Sequence, residues 1–413
     1  MLLLSTQIKP EVLAPAGDRE RLEAAIQYGA DAVYLGANRF GMRAGAPNFS
    51  FEELQSAVAF AHSRGVKVFL TCNTLPRNQE MTELPDFLKE VAACGVDALI
   101  ASDIGVLSLI KKVLPDMEVH ISTQAGIVNY VTADTFYQMG AKRVVLAREL
   151  SLEEIAEIRA KTSPDLDIEV FVHGAMCVSV SGRCLLSNYL TARDANRGEC
   201  AQPCRWAYHL VEEKRPNQFF PIFEDEKGTH ILNAKDLCMI EHIDKLVKAG
   251  VTSLKIEGRA KSSYYVSVVT NAYRCAVDSF MKNPARYRPE QWILDEVTKV
   301  SHRQYSTGFF FGPPENGQYY LNGGYLRNYD VVATAESYQD GLLTVTQKNK
   351  FAVGDLLEVL EPSKPPFSLK VGAIYEDTGE AVEAACHPLM QVKIPCPQGV
   401  VRGSILRRQQ ADE

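Results

Sequence analysis

Residues 51–70 show the pattern that decides the fold, with the sequence FEELQSAVAFAHSRGVKVFL. Apolar side chains recur every three to four positions across 51–63, which predicts an amphipathic helix. Arg64 and Gly65 then form a turn, and the apolar, β-branched run 66–70 predicts a buried strand. A helix that leads into a buried strand is typical of parallel α/β proteins.

The same alternation continues through the first 260 residues of the chain. Besides 66–70, seven apolar runs predict strands, at 12–14, 32–36, 98–101, 119–122, 144–147, 168–172 and 253–256. Further helices are predicted at 19–28, 83–93 and 152–161. Eight such strands favour a closed, TIM-like (β/α) barrel over an open doubly wound sheet. Barrels of this kind carry their chemistry at the C-terminal ends of the strands.

Length and composition indicate a folded protein of two domains. The chain has 413 residues, of which 46% are hydrophobic and 23% charged, both ordinary for a globular protein. A net charge of −7 argues against binding nucleic acid by bulk electrostatics, so such binding would need a locally basic surface. No apolar run reaches the ~18–20 residues of a membrane span, and no basic region precedes the first leucines. We therefore expect a cytoplasmic protein with no membrane partner.

The pattern divides the chain into three segments. We expect a barrel domain over 1–312, a linker over 313–332, and a C-terminal domain over 333–413. Short alternating strands in the last segment predict a small β-barrel, with strands at 342–346, 356–359, 369–374, 391–394 and 404–406. Between the last two barrel strands, an insertion at about 177–252 is far longer than a connecting helix requires.

Cysteines are concentrated in this insertion. Five of the ten cysteines lie there, namely Cys177, Cys184, Cys200, Cys204 and Cys238. Thiolates are soft ligands that suit zinc or iron–sulfur clusters. The paired Cys-x-x-Cys of zinc ribbons does not occur, and the irregular spacing favours an iron–sulfur cluster. Structural zinc, and buried thiols that simply pack as small apolar groups, are the alternatives.

Polar side chains at the strand ends are candidates for the active site. The candidates for catalysis are Arg148, His173, Glu257 and Arg259, and those for substrate binding are Gln124, Glu149 and Lys261. Lys255, Glu257 and Arg259 alternate along the eighth strand, so we expect them to point the same way. The planar guanidinium of Arg259 suits a carboxylate, and His173 can transfer protons. The alternatives are salt bridges at the barrel rim and a buried histidine with a structural role.

Basic and aromatic residues provide two candidate RNA-binding surfaces. The first surrounds the cysteines and comprises Tyr189, Arg193, Arg197, Arg205, Trp206 and Tyr208, and the second comprises Arg402, Arg407 and Arg408. Arginine with interleaved aromatic rings suits single-stranded RNA, whose bases stack while its phosphates pair. Ordinary solvated surface is the alternative for both sets.

The cysteine insertion also begins with a motif that resembles a known family. Residues 169–177 are EVFVHGAMC, and after four residues Gly182, Cys184 and Ser187 continue the motif. This pattern is similar to the signature of the collagenase-like peptidase family. The similarity covers nearly the whole chain, through LAPAG (13–17), AVYLG (32–36), IEGR (256–259) and TGFFFG (307–312).

The resemblance implies more than the peptidase name suggests. Several members are oxygen-independent hydroxylases with a four-iron cluster. Members with a C-terminal β-barrel resemble this chain most and form 5-hydroxyuridine at the wobble position of tRNA, with prephenate as the hydroxyl source. Others act on ribosomal RNA or on ubiquinone precursors. The implied partners are therefore tRNA and prephenate, and a related family member as a heteromeric partner is left open.

The resemblance also implies a set of cluster ligands. Related hydroxylases use cysteines spaced like Cys177, Cys184, Cys200 and Cys238 in this chain, with Cys204 as an alternative ligand. A peptidase remains the rival enzyme, although neither His-Glu-x-x-His nor Gly-x-Ser-x-Gly occurs. An RNA-binding or assembly factor with a structural metal is a third class. The missing Cys-x-x-x-Cys-x-x-Cys argues against radical-SAM chemistry.

Overall fold

A computed structural model describes most of the protein, over residues 9–42, 48–177, 179, 184, 186–195, 198–205, 223–225, 228–230, 234–312 and 325–410. The strands of its first domain are β1 (Glu11–Pro15), β2 (Ala32–Gly36), β3 (Lys67–Cys72), β4 (Ala98–Ala101), β5 (Glu118–Ile121), β6 (Arg143–Val145), β7 (Asp167–Gly174), β8 (Phe223–Asp225), β9 (Gly228–His230), β10 (Asp236–Cys238), β11 (Ser253–Ile256) and β12 (Tyr305–Ser306). Strands β1 to β7 pair in chain order, and β11 pairs in parallel with both β7 and β1. This closes the eight-stranded parallel barrel that the sequence predicts.

Most of the helices surround the barrel and bury an apolar face against it. They are α1 (Arg19–Gln27), α2 (Phe51–His62), α3 (Asn78–Ala93), α4 (Ile104–Val113), α5 (Tyr130–Gln138), α6 (Leu152–Ala160), α7 (Leu186–Thr191), α8 (Ile243–Lys248), α9 (Ser263–Lys282) and α10 (Gln291–Thr298). Helix α2 begins at a capping box of Ser50 and Glu53. It buries Leu54, Val58 and Ala61, the helical spacing that the sequence shows. Helix α3 begins five residues before the predicted start at 83.

Strand β7 continues beyond the barrel and supports a small extension of the sheet. Its last residues pair antiparallel with β10, so that His173 lies opposite Cys238, and β10 pairs in parallel with β12. The register between β7 and β11 shifts after the pair of Phe171 and Lys255. A bulge of this kind changes the direction of the side chains that follow it. Phe171 faces the barrel mouth, whereas His173 contacts the rings of Tyr265 and Tyr273 in α9.

The C-terminal domain is an antiparallel half-barrel. Its strands are β13 (Tyr329–Gln339), β14 (Leu342–Gln347), β15 (Phe351–Ala352), β16 (Leu356–Leu360), β17 (Phe367–Lys370), β18 (Ile374–Tyr375), β19 (Ala381–Val382), β20 (Ala384–Ala385), β21 (Gln391–Pro395) and β22 (Ile405–Gln409). Eight of them form one sheet in the order β17-β16-β22-β13-β14-β21-β18-β19, around a separate apolar core. Strand β13 begins at Tyr329, before the change of pattern at 333.

The C-terminal domain packs directly against the barrel. Leu360 and Ile405 belong to the apolar core of the barrel domain. The hydroxyl of Tyr28 in α1 donates a hydrogen bond to the carbonyl oxygen of Leu360, at 3.1 Å. Arg407, which is fully buried, donates to Glu296 of α10 at 2.8 Å. Among the described residues, no helix has the length and apolar character needed to cross a membrane.

Candidate active site

A cavity of about 590 Å³ lies at the C-terminal ends of the barrel strands. This is the face at which TIM-like barrels carry their chemistry, because the loops after the strands converge there. Six of the seven predicted polar residues line the cavity, namely Gln124, Arg148, Glu149, Glu257, Arg259 and Lys261. The structure therefore brings together side chains that follow β5, β6 and β11.

Four cysteines also line this cavity. They are Cys177, Cys184, Cys200 and Cys204, whereas Cys238 is not among its described lining residues. Within the described part of the chain, no three His, Cys, Asp or Glu side chains converge closely enough to hold a single metal ion. Soft thiols that line one cavity nevertheless suit an iron–sulfur cluster, because a cluster spreads its irons over several ligands that need not meet at one point.

Cys238 lies behind the wall of the cavity. Because it pairs with His173 across an antiparallel ladder, the two side chains occupy the same face of the sheet. Burial raises the pKa of the Cys238 thiol to about 11, and hydrogen bonds with the backbone of Ile240 and with the side chain of Tyr273 oppose that effect. Three members of the predicted ligand set thus share the cavity wall, and the fourth lies among the side chains of α9.

His173 lies in an aromatic cluster instead of on the cavity wall. Its Nε2 is 3.2 Å from the hydroxyl oxygen of Tyr305, and its ring meets the ring of Tyr273 edge to face at 5.5 Å. Burial lowers the pKa of His173 to about 3, with smaller contributions from His302 and Lys261. The imidazole is therefore neutral near pH 7. The bulge in β7 explains why this strand-end residue does not reach the cavity.

Arg259 lies three residues after the end of β11, and its side chain reaches past β1 and β2 to β3. Its Nη1 donates to Thr71 Oγ1 in β3 at 3.1 Å, and its Nη2 donates to Asn48 Oδ1 at 2.6 Å. The residue is only 3% exposed. Burial of this kind strengthens the interaction of a guanidinium with an anion, because less water screens the charge.

Glu257 contacts a different part of the wall. One of its carboxylate oxygens lies 3.9 Å from Arg148 Nη2 and 3.5 Å from the hydroxyl oxygen of Tyr34. Glu257 and Arg259 both line the cavity but contact different neighbours, and the expectation that they point the same way holds only while the strand persists. Strand β11 ends at Ile256, so the alternation of a strand does not extend to these residues.

Arg148 and Lys261 are held at the mouth by neighbouring groups. The Nη1 of Arg148 donates to the carbonyl oxygen of Ala175 at 2.6 Å, and its guanidinium lies 3.9 Å from the ring centre of Phe171. Lys261 donates to the carbonyl oxygen of Ser301 at 3.2 Å. Its ammonium also lies 4.1 Å from the ring centre of Tyr325. Carbonyl oxygens and aromatic rings thus hold both cations at the mouth of the cavity.

Below the cavity, a buried ion network fixes Lys255. Lys255 Nζ lies 2.7 Å from Glu169 Oε1, and Arg143 Nη1 lies 3.0 Å from Glu169 Oε2. Although burial acts to raise it, Lys255 and Arg143 lower the pKa of Glu169 to about 2. Glu169 thus stays ionised inside the barrel, although in the sequence it stands out only as the start of a motif.

Arg303 is a cavity residue that sequence reasoning missed. Its Nε donates to Asp236 Oδ1 at 3.0 Å, and its guanidinium lies 5.4 Å from the ring centre of Tyr325. The pairing of β10 with β12 brings Arg303 to the site, and such short strands leave no clear apolar pattern. Among the described lining residues, five cations therefore face two carboxylates: Arg148, Lys255, Arg259, Lys261 and Arg303 against Glu149 and Glu257.

The predicted RNA-binding residues have mixed positions. Arg197, Trp206 and Tyr208 lie outside the described residues, whereas Arg193 is exposed. In the C-terminal domain, the side chain of Arg402 is 82% exposed. Arg407 instead forms a buried ion pair with Glu296, so it belongs to the domain interface and not to an exposed surface.

Comparisons with known proteins support one family assignment. The model of Peptidase family U32 matches residues 17–319, and that of the Peptidase family U32 C-terminal domain matches 327–407. The chain is 38% identical to tRNA hydroxylation protein P1 of Bacillus subtilis (strain 168), covering 97% of this chain and 95% of that protein. It is 38% identical to tRNA hydroxylation protein P of Escherichia coli (strain K12), covering 94% of each. An uncharacterized protease of Methanocaldococcus jannaschii is 41% identical, covering 80% of this chain and 78% of that protein. The fold, the cavity motifs and these matches together show that the chain belongs to peptidase family U32.

Proposed function

We propose that the protein is an oxygen-independent tRNA hydroxylase that forms 5-hydroxyuridine at the wobble position. In this proposal prephenate supplies the hydroxyl group, and the cofactor is a [4Fe-4S] cluster. Two relatives named as tRNA hydroxylation proteins match almost the whole chain, which supports RNA hydroxylation as the activity. The observation that carries the proposal is a single cavity with four thiols and a mainly cationic wall.

The thiols on the wall support the choice of cofactor. Cys177, Cys184 and Cys200 belong to the ligand set that the resemblance implies, and all three line the cavity. We propose Cys238 as the fourth ligand, with Cys204 as the alternative. When bound, an iron–sulfur cluster supplies one-electron redox chemistry.

The cationic residues are suited to binding a dicarboxylate. Arg259 offers a planar, permanently charged fork at a buried position, which favours a two-point contact with one carboxylate. Lys261 and Arg148 present further positive charge around the same space. Glu257 has a different role, because a carboxylate at this place can accept a hydrogen bond or a proton from an RNA base.

The peptidase alternative receives less support from the site. A cysteine or serine nucleophile needs a nearby base, and histidine is the usual one. No histidine occurs among the described residues that line the cavity. His173 belongs to the signature motif, but it lies in the aromatic cluster of Tyr273 and Tyr305.

Nucleoside analysis tests the proposed function. The gene is expressed in a bacterial strain that lacks its own 5-hydroxyuridine modification, and bulk tRNA is digested and analysed by mass spectrometry. We expect 5-hydroxyuridine to appear with the wild-type chain and with Cys386→Ala, whose thiol is exposed in the C-terminal domain. Cys177→Ala should give none. A nucleoside profile without 5-hydroxyuridine, although the wild-type protein is soluble and carries iron, would contradict the proposal.

A further inference from the structure

Four glycines lie within or against the segment that follows β11. A Cβ atom at Gly174 would lie 2.6 Å from the carbonyl oxygen of Glu257, and one at Gly258 would lie 2.6 Å from the ring of Tyr265. A Cβ atom at Gly17 would collide with the carbonyl oxygen of Arg259. The fourth glycine is Gly36 in β2. These glycines come from the four motifs LAPAG, AVYLG, HGAMC and IEGR, in which the sequence predicts no role for the glycines themselves.

Gly36 differs from the other three glycines because its nearest neighbour is the guanidinium group of Arg259. A Cβ atom there would lie 2.6 Å from Nη2 and 2.9 Å from Nη1 of Arg259, and 2.9 Å from Asn48 Oδ1. Distances below 3.0 Å are not tolerated by real Cβ atoms, so the guanidinium would have to move. Gly36 also pairs with Thr71 across β2 and β3, and Thr71 accepts the hydrogen bond from Nη1.

The space above Gly36 is therefore a seat for the guanidinium. Thr71 and Asn48 fix two of its nitrogens, and the missing side chain at position 36 leaves room for the planar group. Arg259 lines the cavity from this position. A planar donor group gains affinity for a carboxylate when its orientation is fixed before the ligand arrives.

We propose that Gly36 is a positioning residue, which sets the affinity for a carboxylate co-substrate by seating the guanidinium of Arg259. This inference rests on the proposed function, because it takes prephenate as the anion. The glycine does not touch the ligand in this scheme and acts only through the side chain at position 259. Its effect must therefore depend on which side chain stands there.

A double-mutant cycle on prephenate binding tests this dependence. The dissociation constant is measured by titration calorimetry for the wild type, Gly36→Ala, Arg259→Lys and the double variant, so no turnover is needed. Loss of the two-point contact between a guanidinium and a carboxylate typically weakens binding by about tenfold or more. We therefore expect the dissociation constant to rise by about tenfold or more in each single variant. In the Arg259→Lys background Gly36→Ala should change the constant by less than about threefold, because lysine has no planar group at this position.

Gly17→Ala is the matched control. The added Cβ atom meets the backbone of residue 259 and not the guanidinium. Its effect on the dissociation constant should therefore be the same with arginine or lysine at position 259. If Gly36→Ala also weakens binding equally in both backgrounds, Gly36 has only a general structural role and the inference is overturned, while the proposed function stands. If the folded wild-type protein does not bind prephenate at all, the proposed co-substrate is wrong and the inference falls with it. Circular dichroism of each variant establishes that it is folded.

Discussion

Glu169 shows how one buried charge connects the barrel core with the cavity. Its side chain is fully buried, yet it is held between Arg143, Lys255 and the hydroxyl of Ser253. Such a network costs desolvation energy, and its removal on one side leaves the other charges without compensation. Lys255 extends from this network to the cavity wall, so the network fixes the position of a candidate anion-binding group.

Replacing Glu169 should therefore destabilise the protein. We expect Glu169→Gln to lower the free energy of unfolding by about 3 kcal/mol at pH 7, because Lys255 would remain buried without its carboxylate and Arg143 would keep only Glu11 and Asp167 as partners. Since the pKa of Glu169 is about 2 in the folded state, below its ordinary value, its contribution is present above the unfolded pKa and is lost as the pH falls from about 4.5 towards 2. The deficit of the variant should shrink over this range.

Urea unfolding at several pH values measures this deficit. The control is Glu157→Gln, whose carboxylate is 57% exposed and pairs with Lys161 on the surface of α6. A surface pair of this kind contributes less than about 1 kcal/mol. Equal costs for the two variants at pH 7 would contradict the role assigned to the buried network.

For individual residues, the sequence predicts which side chains reach the cavity better than it predicts the direction in which each one points. Six polar residues reach the cavity because each follows a parallel strand, and the ends of such strands share one edge. His173 does not reach it, because a bulge changes its direction, and no sequence pattern marks that bulge. Arg303 has no strand-end signal, since it depends on a pairing between two very short strands.

Among the elements, the barrel strands are the part that the sequence predicts best. All eight predicted strands are confirmed, because strands covered on both faces need continuous apolar runs. Strand β13 was not predicted at all, because two register shifts break the alternation of buried and exposed side chains along it. Strands β10 and β12 are too short to show any periodicity.

The loop after β7 and the short strand β10 carry the five clustered cysteines. Iron and sulfide analysis tests whether these cysteines bind a cluster. Anaerobically purified protein should contain about four irons and about four labile sulfides per chain. Cys177→Ala and Cys184→Ala should abolish both. Cys94→Ala should leave both unchanged, because this thiol at the end of α3 is not among the cavity residues.

The same analysis identifies the fourth ligand. If Cys238 binds the cluster, Cys238→Ala loses iron and Cys204→Ala keeps it, and the reverse result assigns Cys204. Because Cys204 lines the cavity while Cys238 lies against Tyr273, binding by Cys238 requires its side chain to turn away from α9. One equivalent of zinc, with no iron after reconstitution, would contradict the cluster.

For the whole molecule, the close packing of the two domains is the main feature that the sequence did not predict. Arg407 of β22 contacts both Glu296 of α10 and Glu358 of β16, at 2.8 Å in each case. Lys299 joins the same two carboxylates. A surface role was expected for Arg407, because the sequence of a terminal strand does not show what packs on it. The C-terminal domain is thus fixed to the barrel by a buried ion network.

Breaking this network should loosen the C-terminal domain. We expect Arg407→Ala to lower the free energy of unfolding by about 3 kcal/mol, because Glu296 would lose a buried partner. Limited proteolysis should then release a fragment that ends between the domains. Arg402→Ala, at a side chain 82% exposed, should change stability by less than about 0.5 kcal/mol and leave the proteolysis pattern intact. Identical behaviour of the two variants would show that the domains are held together in another way.

Hydroxylation of tRNA by the purified protein tests the central claim most directly. Anaerobic, iron-loaded protein is incubated with tRNA that carries an unmodified wobble uridine, with and without prephenate, and the nucleosides are analysed by mass spectrometry. We predict 5-hydroxyuridine only when prephenate is present, and a higher prephenate requirement for Arg259→Lys, which keeps the charge but loses the planar fork. Iron-loaded protein that forms no 5-hydroxyuridine in the presence of prephenate, or that forms it equally well without prephenate, would contradict the account.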